Sequence, residues 1–343
     1  MNREERIKAA LNGQEVDRIP VSIWMHFSEV DQDPRMLAEE QINLNQKYDY
    51  DFIKLMPFGT YSVQDWGSKI RFYCQKYKEP IIDQFGIKDI KDWSILETLP
   101  AYYGTWGKQL QLAQHVSKNI EKNTPFIQTI FSPLTTAKKL AGDRLFHDMK
   151  EEPKMIHQAL EVITETTINF IKANIEAGVS GFFLATQCAT YDLMNDENYE
   201  EFGAKYDLEL IEAFKDDTYF NVVHIHGENI MFDTVEKYPC NCLNWHDRYT
   251  EPNFKEARKK TSKCFLGGIQ EVPYFVDGVL KYNSIMSSSS PEEIEKHVLE
   301  AVDQIDGKGL IVGPGCVTDP RTKEENLYAV RKAVDLRKVV AVE

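Results

Sequence analysis

The chain has 343 residues, with 40 Lys and Arg against 54 Asp and Glu, a formal charge of −14. That length suits one large domain, since single α/β barrels run to about 250 residues or more. The acidic balance argues against a nucleic-acid binder, which needs clustered cations to neutralise phosphates. Short basic runs such as Arg258-Lys259-Lys260 read as a solvated helix face. No stretch approaches the roughly 18 uncharged apolar residues of a membrane-spanning helix. Met1-Asn2-Arg3-Glu4-Glu5-Arg6 is charged and lacks the apolar core of a signal peptide. The six cysteines are scattered, at 74, 188, 240, 242, 264 and 316, too few for a disulfide scaffold. A reduced, cytoplasmic protein is expected, with cysteines that are buried, idle or metal ligands.

Residues 1–12 read as a helix covering the bottom of the fold. Eight β-rich runs follow, at 19–27, 51–57, 125–132, 180–187, 220–226, 241–246, 264–269 and 309–315. Helical patterns lie between them, among them 34–47, 153–177, 198–215, 291–304 and 323–336. Ser290-Pro291-Glu292-Glu293 is a helix start, and Gly178 stands where a helix ends in a left-handed residue. Strands that alternate with helices imply parallel pairing through right-handed crossovers. The fold class expected is α/β, a closed (β/α)8 TIM barrel forming one domain over 1–343. A doubly wound open sheet is the alternative, although no G-x-G-x-x-G or Walker sequence follows the first strand.

Residues 59–100 form an aromatic-rich insertion after the second strand, with Trp66, Phe72, Tyr73, Tyr77, Phe85 and Trp93. Insertions there sit at the C-terminal face, where barrel active sites are built. It either serves that site or packs as a small hairpin on its own aromatics. The serine tract 287–290 reads as a flexible surface loop.

The fifth strand ends His224-Ile225-His226-Gly227. Positions i and i+2 of a strand share a face, so both imidazoles project into one space. The eighth ends Val312-Gly313-Pro314-Gly315-Cys316, which puts a thiol at the barrel mouth opposite the fifth. Two imidazoles and a thiol suit Zn²⁺ with an open fourth position. Cys240 and Cys242 fall at the opposite end of the sixth strand and read as structural. Other strand ends carry polar groups: His26 on the first, Gln187 on the fourth, His246-Asp247-Arg248 on the sixth. Convergent polar groups at one end make a pocket, and His26, Gln187 and His246 are the candidate catalytic residues. His246 is also the candidate fourth ligand. Asp247 and Arg248 either serve the site or pair with each other to hold the loop.

On Asp17-Arg18-Ile19-Pro20, the His-x-His-Gly run, and Gly-Pro-Gly-Cys followed by Glu325-Asn326, the whole chain resembles the uroporphyrinogen decarboxylase superfamily of (β/α)8 barrels. It looks nearer to the corrinoid-linked methyltransferases of that superfamily than to the decarboxylases. The decarboxylases carry Arg-Gln-Ala-Gly-Arg after the first strand, for acidic porphyrinogen side chains. Here that place reads His26-Phe27-Ser28-Glu29-Val30-Asp31, an acidic loop. The methyltransferases carry His-x-Cys with a distant Cys; this chain matches at His224 and Cys316 and has His226 in place of the first Cys. An imidazole for a thiolate makes the site less negative and its metal a stronger Lewis acid.

The resemblance implies a zinc methyltransferase working with a corrinoid (cobalamin) protein partner. It would either methylate a thiol or act as a demethylase on a methoxy compound, the direction staying open. The rivals are a decarboxylase of a porphyrinogen-like or smaller carboxylate, and a non-enzymatic ligand-binding barrel. Neither a nucleic acid nor a membrane is expected as a partner.

Overall fold

The computed structural model describes residues 1–271 and 284–336, with the backbone of Tyr274–Val276 and Val279–Tyr282 between them. Seven parallel strands form its main sheet. They are β1 (Ile53–Lys54), β2 (Phe126–Phe131), β3 (Gly181–Thr186), β4 (Val222–Ile225), β5 (Cys242–Trp245), β6 (Cys264–Ile269) and β7 (Leu310–Pro314). Consecutive strands are hydrogen-bonded neighbours throughout. A doubly wound sheet reverses its order partway, so the open alternative is excluded. What the chain builds is an α/β fold on a curled parallel sheet. Every residue of β2, β3 and β6 is buried, as expected of strands covered on both faces.

Each observed strand lies inside the run expected for it, but the first run does not become a sheet strand. Within 19–27 only Val21 pairs, in a parallel bridge to Val312. The reason is local. Pro20 has no N–H to give, the Val21 N–H donates to the Asp51 carboxylate at 2.8 Å, and the Ser22 hydroxyl donates to the Phe52 carbonyl at 2.7 Å. The segment still lies between the two edges of the sheet. The Asp51 N–H donates to the Val21 carbonyl at 2.8 Å, and the Ser22 N–H to Val312 at 3.0 Å.

An ionic cluster pins this segment from below. Asp51 is fully buried and accepts from Arg6 Nη1 at 2.7 Å and from Arg18 Nη1 and Nη2 at 2.6 and 3.0 Å. Arg6 comes from the helix Arg3–Leu11, capped by Asn2, and it also grips Asp17 through two nitrogens. Above the cluster the interior is aromatic. Phe52 meets Phe220 at 4.9 Å, and Trp24 meets Phe183 edge-on at 5.9 Å. Close packing also dictates Gly181 at the start of β3, where a Cβ would stand 1.8 Å from the Phe220 carbonyl oxygen.

The helices Pro34–Lys47 and Pro153–Glu176 occupy their expected places. The helix expected over 198–215 runs without a break from Asp196 to Glu212, with a π-helical turn, Glu200–Ala204, between Asp196–Tyr199 and Lys205–Glu212. The serine tract is not a loose loop. Ile285–Ser288 is a helical turn, the Ser288 hydroxyl bonds back to the Ser284 carbonyl at 2.8 Å, and Ser290 caps the helix Pro291–Asp303. Asn326 ties the tract down by donating to Met286 and Ser289 carbonyls at 2.8 and 3.0 Å.

Residues 59–100 hold the 3₁₀ turns Tyr61–Trp66 and Ile90–Ile95 around an antiparallel hairpin, Lys69–Arg71 with Ile81–Gln84. Its aromatics lean on the body as well as on each other. Trp93 is buried and donates to Asp148 at 2.8 Å, and Trp66 packs edge-on against Trp106. No helix of the described residues is long and apolar enough to cross a membrane.

Candidate metal centre

His224 stands within β4 and His226 one residue beyond it; His246 follows β5 and Cys316 follows β7 by two residues. One donor atom from each of these four residues lies within 4.8 Å of all the others. His224 Nε2 approaches His226 Nδ1 at 3.4 Å, and Cys316 Sγ approaches that same nitrogen at 3.8 Å. Among the described residues no other group of three or more His, Cys, Asp and Glu gathers this way.

Hydrogen bonds on the far sides of two rings decide which nitrogen faces the centre. Asn244 Nδ2 donates to the Leu266 and Pro314 carbonyls at 2.6 and 3.1 Å, so its Oδ1 is the free acceptor. That oxygen lies 2.6 Å from His224 Nδ1, which must carry the proton and leave Nε2 as a lone pair. Glu271 Oε1 sits 2.6 Å from His246 Nδ1 and fixes that ring in the same sense. Metal-bound imidazoles are held in this way, with a carbonyl or carboxylate on the other nitrogen. Inward-facing lone pairs and a nearby thiol are a zinc donor set. The residues present fit the ion.

Gly315 lets the Cys316 strand end come so near. A Cβ there would stand 2.6 Å from the Trp245 carbonyl oxygen and 2.9 Å from His246 Cα. Its N–H donates to Glu271 Oε2 at 3.2 Å. In Gly315→Ala the end of β7 must back away from His246 and carry the thiol with it. Zinc affinity, read by competition with a chromophoric chelator, should fall roughly ten- to a hundredfold, as when a ligand's support is lost.

Burial sets the protonation of the free site. It holds His226 down to about 3 and His224 well below the usual imidazole range, and it pushes the Cys316 thiol up to about 12, helped by Glu271. At neutral pH those two imidazoles are therefore already bare, and the proton a metal must displace is the thiol's. Binding that releases one proton strengthens with pH. Zinc affinity should rise about tenfold per unit between about pH 7 and pH 9, and Cys316→Ala should flatten that rise.

Two lysines reach the inner side of the centre without a carboxylate partner among the described residues. Lys54 Nζ lies 4.3 Å from the Phe183 ring centroid, and Lys139 Nζ donates to the Gly59 carbonyl at 2.6 Å. Burial brings both down to about 7. Outside the centre a cavity of about 740 Å³ opens, lined by His226, His246, Cys316, Glu271, Tyr249 and residues of the insertion.

The other expected residues fall elsewhere. His26 lies beside Glu79 at 3.4 Å and lines a neighbouring cleft of about 420 Å³, not the cavity at the metal centre. The Gln187 N–H donates to Thr135, and its side chain does not line the cavity either. Asp247 accepts from the Gly268 N–H at 2.9 Å, while Arg248 turns to His297 at 3.0 Å, so the two do not pair. Cys240 and Cys242 are buried away from the centre. Sequence reasoning passed over Asn244 and Glu271. Asn244 was detectable, since it stands at i−2 from His246 and so on the same strand face. Glu271, two residues beyond β6, has no such pattern.

A curled parallel sheet with imidazoles and a thiol gathered at the strand ends defines a barrel-like α/β protein with a candidate metal site there. The family profile "Uroporphyrinogen decarboxylase (URO-D)" matches residues 2–336, and the chain belongs to that family. Among curated relatives, "Methylcobamide:CoM methyltransferase MtbA" of Methanosarcina acetivorans is 22% identical over 338 residues, covering 94% of this chain and 95% of its own. "Methylcobamide:CoM methyltransferase MtaA" of Methanosarcina barkeri is 22% identical over 346 residues, covering 96% of each. A solved methyltransferase from Methanosarcina mazei superposes with a TM-score of 0.80 at 18% identity, over 98% of this chain and 99% of that one. A B12-independent methionine synthase from Shewanella sp. W3-18-1 gives 0.59 at 13% identity, over 93% and 94%. These structural likenesses concern the fold.

Proposed function

We propose that the chain is a zinc-dependent methyltransferase, moving a methyl group between a corrinoid on a partner protein and a thiol or methoxy compound. The gathering of His224, His226, His246 and Cys316, the last three of which line an open cavity, carries this reading. The likeness to methylcobamide:CoM methyltransferases supports it and brings the corrinoid partner with it. When bound, the metal supplies a Lewis acid that holds an acceptor thiolate or steadies a leaving oxygen. His224 and His226 offer it neutral nitrogen, Cys316 its sulfur, and His246 the fourth donor. Asn244 and Glu271 keep two of the rings turned the right way. We give His26 and Gln187 no part at the reacting atoms, because neither lines the cavity.

In this reading the whole chain is one domain and the fold an eight-stranded barrel, with the 19–27 segment standing as the first strand between β7 and β1. The insertion at 59–100 overhangs the mouth, since Tyr77 and Glu79 line the cavity. A cytoplasmic setting keeps the free thiols reduced. Decarboxylation of a polycarboxylate is disfavoured by the acids that line the cavity, Glu79, Asp192, Glu228 and Glu271, which repel it.

The test follows cobalt absorbance. The zinc-loaded protein is incubated with reduced cobalamin and a panel of methoxy compounds, and separately with methylcobalamin and small thiols. Turnover in one direction is expected, lost in His224→Ala. No turnover either way, with chelator-insensitive release of carbon dioxide from a carboxylate, overturns it.

A further inference from the structure

One strand of the sheet ends on a buried cation. Lys54 closes β1, in register with Ile127 of β2, and is 4% exposed. Its one hydrogen-bond acceptor among the described residues is the Met56 sulfur, at 2.8 Å. A thioether accepts weakly, so an ammonium with three donors is left largely unsatisfied. Its other neighbours are aromatic faces, Phe183 at 4.3 Å and Trp24 at 5.5 Å from the ring centroids. Such faces attract a cation, yet they return less than the burial of an ammonium costs. An apolar side chain of the same length would fill the space without that loss. A lysine kept here is kept for its charge.

That charge faces the metal centre. His224 stacks on the same Phe183 ring at 5.3 Å, so amine and imidazole share one neighbour. Burial and the two other imidazoles hold His224 down, and Lys54 adds to them. Burial and Glu271 push the Cys316 thiol up, and Lys54 is the first influence to oppose them. Lys139 repeats the arrangement from the helix Pro133–Ala141. Its Nζ lies 3.3 Å from the centroid of Phe131, which is in register with Ala185, and Ala185 with His224. After burial and His246, Lys139 is the next influence on His226.

The charges around the centre do not cancel without these amines being counted. Three neutral imidazoles, the Cys316 thiolate and a divalent ion leave one positive charge, which Glu271 behind His246 offsets. The two lysines are in excess. Glu79, Asp192 and Glu228 line the cavity beyond, but all three are exposed, where water and salt screen them. Lys54 lies among apolar rings and is screened far less. The outer acids turn away a large polyanion at the mouth, while the inner amines favour a single negative charge at the metal.

We propose that Lys54, seconded by Lys139, makes this centre prefer an anion as the metal's outside ligand, steadying the negative charge that a thiolate brings or a leaving oxygen acquires. Lys54 does not line the cavity, so it is a positioning residue that acts through the field at the centre. The inference rests on the methyl-transfer reading only for what that anion is.

The test replaces zinc by cobalt(II), whose visible bands shift when an outside ligand binds. The cobalt-loaded protein is titrated with thiocyanate, a small anion, and with imidazole, a neutral ligand. The titration is run at about pH 6.5, below the value to which burial brings both amines. Lys54→Met should weaken thiocyanate about tenfold and leave imidazole within about twofold of the wild type. Lys139→Met should weaken thiocyanate about threefold, because that amine is only half-buried and donates to the Gly59 carbonyl. A merely structural disturbance moves both probes together. Melting curves are taken of each variant, and if one does not fold the other decides. Equal loss of both probes, thiocyanate binding unchanged in the folded variants, or a wild-type centre that takes no anion overturns the proposal. Methylcobalamin turnover with small thiols, and reduced cobalamin with methoxy compounds, are followed on zinc-loaded samples of the same proteins. Selective loss of thiocyanate with no turnover in any sample sinks the methyl-transfer reading and leaves the role of Lys54 standing. Turnover in the wild type with thiocyanate unchanged in both variants does the reverse.

Discussion

Dialysed against a weak chelator, His224→Ala should keep less than about a tenth of the zinc that the wild-type protein keeps, with affinity lower on the order of a thousandfold. His224 is the donor whose environment is most fully prepared. Its ring is buried and stacked on Phe183 at 5.3 Å, and its outer nitrogen is fixed by an Asn244 that is itself locked to two carbonyls. Truncation removes the donor and leaves Asn244 Oδ1 without its partner, so nothing nearby can swing in to replace it. Cys316→Ala should lose a comparable amount, because it removes the only anionic donor of the four. Asn244→Leu separates the donor from its support: His224 remains, its tautomer is no longer dictated, and the loss should be nearer ten- to a hundredfold. Zinc measured by mass spectrometry in all three variants, beside their melting curves, decides the matter. Full zinc occupancy in both His224→Ala and Cys316→Ala would remove the centre from the account.

How far this centre can be read from the sequence depends on which residue carries the signal. His224 and His226 are two apart on a strand, and strand geometry alone puts them on one face. Cys316 joins them only if the strands close up in sequence order, which β–α alternation suggests. His246 was visible as a polar strand end, though not as an equal of the other three. Glu271 was not visible, because it lies on a loop whose path no periodicity dictates. The acidic wall was equally hidden. Glu79, Asp192 and Glu228 lie on three separate loops, and a net charge of −14 says nothing of where charges meet. In the fold, the long helices were legible from caps and spacing, such as Asp33 before Pro34 and Ser290 with Glu293. The 19–27 run is legible as a segment between the sheet edges, but its pairing is not. Its apolar pattern predicts pairing along its length, whereas side chains of Asp51 and Ser22 take up hydrogen bonds that a strand ladder would use.

That competition makes Asp51 the residue on which the seam between β7 and β1 depends, and Asp51→Ala should destabilise the chain by about 3–5 kcal/mol. The side chain is fully buried and meets Arg6, Arg18 and the Val21 N–H at once. Deleting it leaves two guanidinium groups, each about nine-tenths buried, facing each other without a counter-charge, together with an orphaned backbone donor. Arg6 keeps Asp17, which limits the loss on that side. Arg18 retains only exposed acids at 3.9 Å, where solvent weakens the attraction. Asp51→Asn should cost less, since an amide still accepts one hydrogen bond, but it cannot balance two cations. Because the 19–27 segment bridges both sheet edges through Val21, the damage should reach the mouth. In native-state hydrogen exchange the amides of Ser22 and Val312, which bond across the seam, should lose protection before those of β3 and β4. Denaturant melts of Asp51→Ala and Asp51→Asn beside the wild type measure the main effect. A loss under about 1 kcal/mol in the alanine variant would mean that the apolar packing of Trp24 and Phe52 alone holds the seam.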